Sequence, residues 1–158
     1  MSTFRIGRRS FGLALATIGL VAGIAFTGGT AMAGDCPAGK MKVGAMVPSD
    51  AQAQGVTDNV LAALDVHGQI PAIEGYQIRT RMLEIQPGGI VPFHSHEGRP
   101  ALIYVIEGQI TEYRTNCEAP IVHVAGDIAT ESMDVAHWWQ NTGDTVVTLL
   151  SSDIVPVE

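Results

Sequence analysis

Charge is scarce in this 158-residue chain, and positive charge scarcest. Nine Lys and Arg face sixteen Asp and Glu, 16% charged residues in all, for a formal net charge of −7. That balance excludes a polybasic nucleic-acid binder, and the 46% hydrophobic content excludes a disordered tail. Cysteine is scarcer still: Cys36 and Cys117 stand alone, with no CxxC pair. Neither has a His or Cys neighbour at ligand spacing, which weighs against a thiolate metal site. Internal repeats, low-complexity tracts and long helical periodicity are missing, and the length suits one ordinary domain.

Acidic residues are absent before Asp35, whereas Arg5, Arg8 and Arg9 open the chain. After them come an uncharged apolar stretch, Phe11 to Phe26, and a small-x-small ending, Ala31-Met32-Ala33. This is the pattern of an export signal. The stretch carries Gly12, Gly19 and Gly23 and is weakly hydrophobic for a transmembrane helix of about 20 residues, so an uncleaved anchor is the lesser reading. Arg8-Arg9-Ser10-Phe11 resembles the twin-arginine export signal, with Gly12 where Leu is usual; a Sec signal is the alternative. Cleavage near Ala33 removes three of the nine basic residues and none of the sixteen acidic ones, taking the net charge from −7 to −10. The expected product is periplasmic or secreted and keeps no stable membrane anchor. In that oxidising setting Cys36 and Cys117 are expected to form one disulfide, tying the N-terminus to a loop of the domain.

From Gly34 to Gly55 there is little periodicity, which reads as an extended leader. Thr57-Asp58 followed by Val60, Leu61 and Leu64 predicts an N-capped short helix. His67 beside Gly68 reads as a helix-end or surface residue. After Gly75 the period becomes two. Tyr76 to Ile85 alternates until Pro87-Gly88-Gly89, and strand-like runs follow at 101–107, 109–115, 121–124, 128–130, 137–140 and 145–153, divided by turn signals. Many short strands predict an all-β sandwich or barrel.

The sharpest chemistry is His94-Ser95-His96. On a strand, residues i and i+2 share a face about 7 Å apart at Cα, close enough for both imidazoles to reach one metal ion. His137 opens the run His-Trp-Trp-Gln-Asn and would share a face with Trp139 and Asn141. Gly88, His94, His96 and Gly108 in this spacing resemble the first motif of the cupin superfamily. Gly126-Asp127, His137 and Asn141 are similar to its second. The resemblance, to a small, quercetin-dioxygenase-like cupin, covers roughly residues 76–152. It implies a double-stranded β-barrel, or jelly roll, with a metal at its wide end. The expected organisation is an export signal over 1–33, a leader with the short helix over 34–75 and a cupin domain over 76–155.

The sequence departs from the pattern at Ala101, where cupins usually place a metal-binding Glu. Ser132 and Asp134 also replace the usual Pro and Gly before His137. Glu97 would point away from the His pair if the strand continues, so the expected ligands are His94, His96 and His137 alone. A His-only set accommodates Fe, Zn, Cu, Ni or Mn without selecting among them. Three-His cupins include non-haem iron dioxygenases, so the resemblance implies an exported metal-binding cupin, with an oxygenase acting on a small organic molecule as one reading. Non-catalytic binding of a small ligand or metal, and a degenerate structural module, are the others. Four residues are expected around the site: Arg99 as partner of a substrate carboxylate or a surface ion pair, Ala101 as an open vacancy beside the metal, Trp139 as wall, and His123 as a satisfied buried imidazole or a fourth ligand. Trp138 would face a second sheet, a partner subunit or solvent, and a homodimer is one arrangement left open.

Overall fold

The alternation of inward and outward side chains sets the architecture. The computed structural model describes residues 35–70 and 72–157; the expected export signal, 1–33, lies outside the described residues. The strands are β1 (Gln54–Asp65), β2 (Tyr76–Ser95), β3 (Ala101–Glu107), β4 (Gln109–Arg114), β5 (Ile121–Val124), β6 (Ile128–Glu131), β7 (Ala136–Gln140) and β8 (Val147–Pro156). They form one antiparallel sheet in the order β5-β4-β7-β2-β8-β3-β6, with β1 added against β2. The turn between β5 and β6 is stitched to β3: Val105 N donates to Asp127 O at 3.0 Å and Gly126 N to Val105 O at 2.9 Å. The sheet thereby curls into a nearly closed, all-β barrel, as the strand spacing predicts.

Inside the barrel, composition changes along each strand. On β8 the buried positions run Val147, Leu149, Ser151, Asp153, and on β3 Val105, Ile103, Ala101. Ile85, Val105, Ile110 and Val147 are wholly buried in the core that also holds Leu83, Leu149, Ala129 and Trp139. Each such aliphatic side chain contributes about 1.5–3 kcal/mol by leaving water. Beyond this apolar layer the same strands present polar inward groups, so a functional site has one end of the barrel to occupy.

Two local readings differ from the structure. The short helix expected from Thr57 does not form: no helix is found among the described residues, and 54–65 is β1, paired with β2 from Gln54↔Ile90 to Asp65↔Gln77. Val60, Leu61 and Leu64, the stripe that suggested a helix, are each more than half exposed. A helix would have nothing to bury them against, whereas the edge of the long β2 satisfies the β1 backbone. Pro87-Gly88-Gly89 bends β2 rather than ending it. Gly88 adopts φ +75°, and a Cβ on Gly89 would lie 2.7 Å from Gln86 O and Ile85 Cγ2. Before the bend β2 pairs with β8, to Ile85↔Val147; after it, with β7, from Ile90↔Gln140. One strand therefore carries both Arg81 and His94.

Cys36 and Cys117 form the expected disulfide, with Cα atoms 5.7 Å apart. Cys117 is fully buried, and Met41 pairs with it as an isolated bridge, so the leader is tied to the turn after β4.

Candidate functional site

His94 on β2 lies directly opposite His137 on β7 in the strand register. His96 follows the end of β2, and its backbone N–H donates to Val135 O at 2.9 Å. The register and the turn bring the three rings together, with centroids 4.6–4.9 Å apart. His94 Nε2 is 3.0 Å from His96 Nε2 and 3.2 Å from His137 Nε2. The opposite nitrogen of each ring faces an acceptor: His94 Nδ1 is 2.9 Å from Pro92 O, His96 Nδ1 is 2.9 Å from Arg99 O, and His137 Nδ1 contacts Glu112 Oε1. A carbonyl can only accept, so His94 Nδ1 carries the proton and its Nε2 directs a lone pair at the other two rings, whereas His96 faces acceptors on both ring nitrogens (Arg99 O and Glu131 Oε2) and His137 Nδ1 meets both Glu112 and the indole N–H of Trp139 at 3.1 Å. Imidazole nitrogens packed this closely need a proton or a metal ion between them. The donor set therefore fits a transition-metal ion.

Burial, and then the charge of His137, lower the pKa of His94 from 6.5 to about 4. That keeps the imidazole neutral, the form that ligates. Glu112 is fully buried. Burial alone would raise its pKa, but hydrogen bonds from His123 (2.9 Å) and His137 and the charge of Arg114 (Nε, 2.6 Å) hold it well below the usual carboxylate range. It remains the anion that orients His137.

Glu131, 3% exposed on β6, lies beside the cluster and groups with Glu112 and His137. Its Oε2 is 2.8 Å from His96 Nε2 and its Oε1 3.4 Å from His137 Nε2; Oε1 is buried without a hydrogen bond.

A cavity of about 560 Å³ opens over this cluster, lined by His94, His96 and Glu131, by the apolar Leu83, Val91, Ile103, Leu149 and Trp139, and by Arg81 and Arg99. Arg81 Nη2 donates to Ser151 Oγ (3.1 Å) and Asp153 Oδ2 (3.3 Å), and Nη1 to Asp58. Arg79 holds the same Asp153 through two bonds of 3.1 and 2.9 Å. Arg99 Nε, buried and without a hydrogen bond, lies 4.0 Å from Asp153 Oδ2. Arg79, Arg81 and Arg99 share Asp58 and Asp153 on this side, and Glu97 and Glu131 also line the cavity.

Comparison with known families agrees with this geometry. Residues 81–153 match the family described as a cupin domain. "Germin-like protein 8-14" of Oryza sativa subsp. japonica is 30% identical over 128 residues, covering 73% of this chain and 60% of that protein. "Auxin-binding protein ABP19b" of Prunus persica is 32% identical over 80 residues, 49% of this chain and 38% of that protein. The chain thus spans less than two thirds of the length of these relatives. Among solved structures, the Schizosaccharomyces pombe Cnp3 cupin domain superposes with a TM-score of 0.51 at 11% identity, covering 66% of this chain and 68% of that one. An oxalate oxidase in complex with the substrate analogue glycolate gives 0.50 at 21% identity, covering 69% and 58%. At these identities the likeness shows the cupin fold.

Of the residues singled out in the sequence, the cupin barrel brings His94, His96 and His137 together, and puts Arg99 and Trp139 on the cavity wall. Ala101 is different. It is buried in the core and does not line the cavity, whereas Glu131, its register partner on β6, does. His123 does not reach the cavity or the imidazole cluster; it stacks on Trp139 (4.6 Å between centroids) and bonds Glu112. Trp138 turns outward onto Tyr113, with stacked rings 4.0 Å apart. Sequence reasoning missed Glu112 and Glu131. The available signal was phase: Ile110-x-Glu112 and Ala129-x-Glu131 put each Glu on the face of a buried apolar residue.

Proposed function

We propose that this protein is an exported, metal-dependent oxidoreductase of the non-haem dioxygenase type, acting on a small organic acid above His94, His96 and His137. The observation that carries the reading is the convergence of three imidazole Nε2 atoms, those of His96 and His137 lying 3.0 and 3.2 Å from that of His94, under an open cavity. When bound, an Fe, Zn, Cu, Ni or Mn ion would supply Lewis acidity and, if redox-active, electron transfer. The side chains supply the rest. Arg99, whose Nε makes no hydrogen bond, is placed to pair with a carboxylate, with Arg81 held beside it by Asp58 and Asp153. Trp139, Leu149 and Ile103 form a dry wall that strengthens this pairing by excluding water. The Cys36–Cys117 disulfide and the twin-arginine-like segment favour export, with 1–33 removed and a periplasmic or secreted product.

The test is metal analysis of protein purified from the periplasm, with oxygen uptake measured against catechols, diketones, thiols and small hydroxy and keto acids. Oxygen consumption with an acid-bearing compound is expected, and Arg99→Ala should raise its KM about tenfold while changing kcat less. Metal-loaded wild type that consumes no oxygen with any of them overturns the oxygenase reading. A second reading, reversible ligand binding without turnover, is favoured by one observation. Of the three described carboxylates that line the cavity, Asp58 is paired with Arg81 and Glu131 sits on the imidazoles, which leaves Glu97 alone as an acid–base candidate. Saturable binding of an acid without oxygen uptake supports that reading.

A further inference from the structure

The cupin barrel lacks a carboxylate at Ala101, yet a carboxylate is present in the space beside the imidazoles. Ala101 and Glu131 are direct partners in the antiparallel β3–β6 register. Directly opposed residues on adjacent strands project from the same face with Cβ atoms about 4.5–5.5 Å apart. A side chain at 131 can therefore reach the volume that a side chain at 101 would otherwise fill. Glu131 does so. Its Oε2 lies 2.8 Å from His96 Nε2 and its Oε1 3.4 Å from His137 Nε2.

The surroundings of this carboxylate demand a cation. Glu131 is 3% exposed and Oε1 has no hydrogen-bond partner. The nearby guanidinium of Arg114 is turned to Glu112 and to Thr130 O, and Arg99 lies toward Asp153. The atoms facing Glu131 are the Nε2 nitrogens of His96 and His137, whose Nδ1 nitrogens are engaged by Arg99 O and by Glu112 and Trp139. A buried carboxylate is strongly unfavourable without positive charge beside it, and in this cluster that charge is either a metal ion shared with the imidazoles or a proton on His96.

Resting on the metal reading above, we propose that Glu131 is the fourth protein ligand of the metal, the carboxylate having been transposed across the strand pair from position 101 to position 131. The site then offers three neutral imidazoles and one anionic oxygen. Its remaining coordination positions face the cavity and the Arg81–Arg99 wall. A mixed nitrogen and oxygen set suits a divalent first-row ion and disfavours Cu(I).

The experiment is calorimetric titration of EDTA-stripped protein with Co(II), together with the visible absorption spectrum of the Co(II) form and thermal melting of the metal-free form. It compares wild type, Glu131→Gln and the double variant Ala101→Glu/Glu131→Ala. Glu131→Gln should weaken Co(II) binding by about 100-fold or more, at or beyond the upper end for groups that merely support a ligand. It should also shift the Co(II) bands, while metal-free melting stays equal or rises because an uncompensated buried charge is gone. The double variant should recover affinity to within about tenfold of wild type, since the carboxylate returns from the opposite strand. Glu131→Gln binding Co(II) like wild type with an unchanged spectrum overturns the proposal and leaves a three-His site standing. A folded double variant with no recovery overturns the transposition. Should the double variant fail to fold, the Glu131→Gln spectrum decides alone. Wild type that takes up no Co(II) overturns the metal reading itself.

Discussion

Replacing Glu112 by Gln removes one charge from the interior without changing its shape, and the structure sets what that costs. The carboxylate accepts from His137 Nδ1, from Arg114 Nε at 2.6 Å and from His123 Nε2 at 2.9 Å. Gln keeps one acceptor oxygen and turns an NH2 toward one of these donors. Replacing charge-assisted bonds by a neutral one, and leaving a buried donor unmatched, costs about 2–4 kcal/mol. A His137 ring no longer held by an anion should also lose about 10–100-fold in metal affinity. Urea unfolding in EDTA measures the first quantity and Co(II) calorimetry the second. The pH dependence fixes the sign. Because the folded-state pKa of Glu112 is depressed, its stabilisation is fully present above the unfolded value of about 4.5 and is lost as pH falls further. The stability gap between wild type and variant should thus stay constant from pH 7 to about 4.5 and narrow below it. A gap that widens on acidification, or a variant matching wild type in both stability and Co(II) affinity, refutes the assignment of Glu112 as the anion that holds His137.

Further outcomes follow from the same contacts. His94 has its pKa lowered from 6.5 to about 4, so the unfolded chain binds the extra proton first; metal-free protein should lose up to about 3 kcal/mol as pH falls from 6.5 to 4, measured by denaturant midpoints in EDTA. Reducing Cys36–Cys117, 81 residues apart, should cost about 4.5 kcal/mol by loop-closure entropy, measured by unfolding with and without reductant. Asp153→Asn should destabilise by about 3–5 kcal/mol, because Arg79 and Arg81 lose the buried carboxylate that both engage; a shift under 1 kcal/mol contradicts that pairing.

Much of the barrel was legible from period and punctuation. The alternation in 76–85 and the turn signals at Gly108, Gly126-Asp127 and Thr142-Gly143-Asp144 lead directly to β2, β3, β4, β6 and β8. β1 was not legible, because Val60, Leu61 and Leu64 mimic a helical stripe while remaining exposed; only the unsatisfied edge of β2 makes that segment a strand. The imidazole trio could be read because His94 and His96 stand two positions apart and His137 has a motif around it. Glu131 could not be read the same way. Its partner at 101 is thirty positions away, and only the β3–β6 register shows that the two positions share one space. Glu112 was hidden for a similar reason, since it meets His137 through the β4–β7 pairing.

The central claim is that one metal ion sits among His94, His96 and His137, and an anomalous-scattering map from crystals of Co(II)-loaded protein tests it most directly. The account predicts a single peak about 2.0–2.2 Å from each of the three Nε2 atoms and within the same range of a Glu131 carboxylate oxygen. A map with no peak at the imidazoles, or with its strongest peak elsewhere on the barrel, contradicts it.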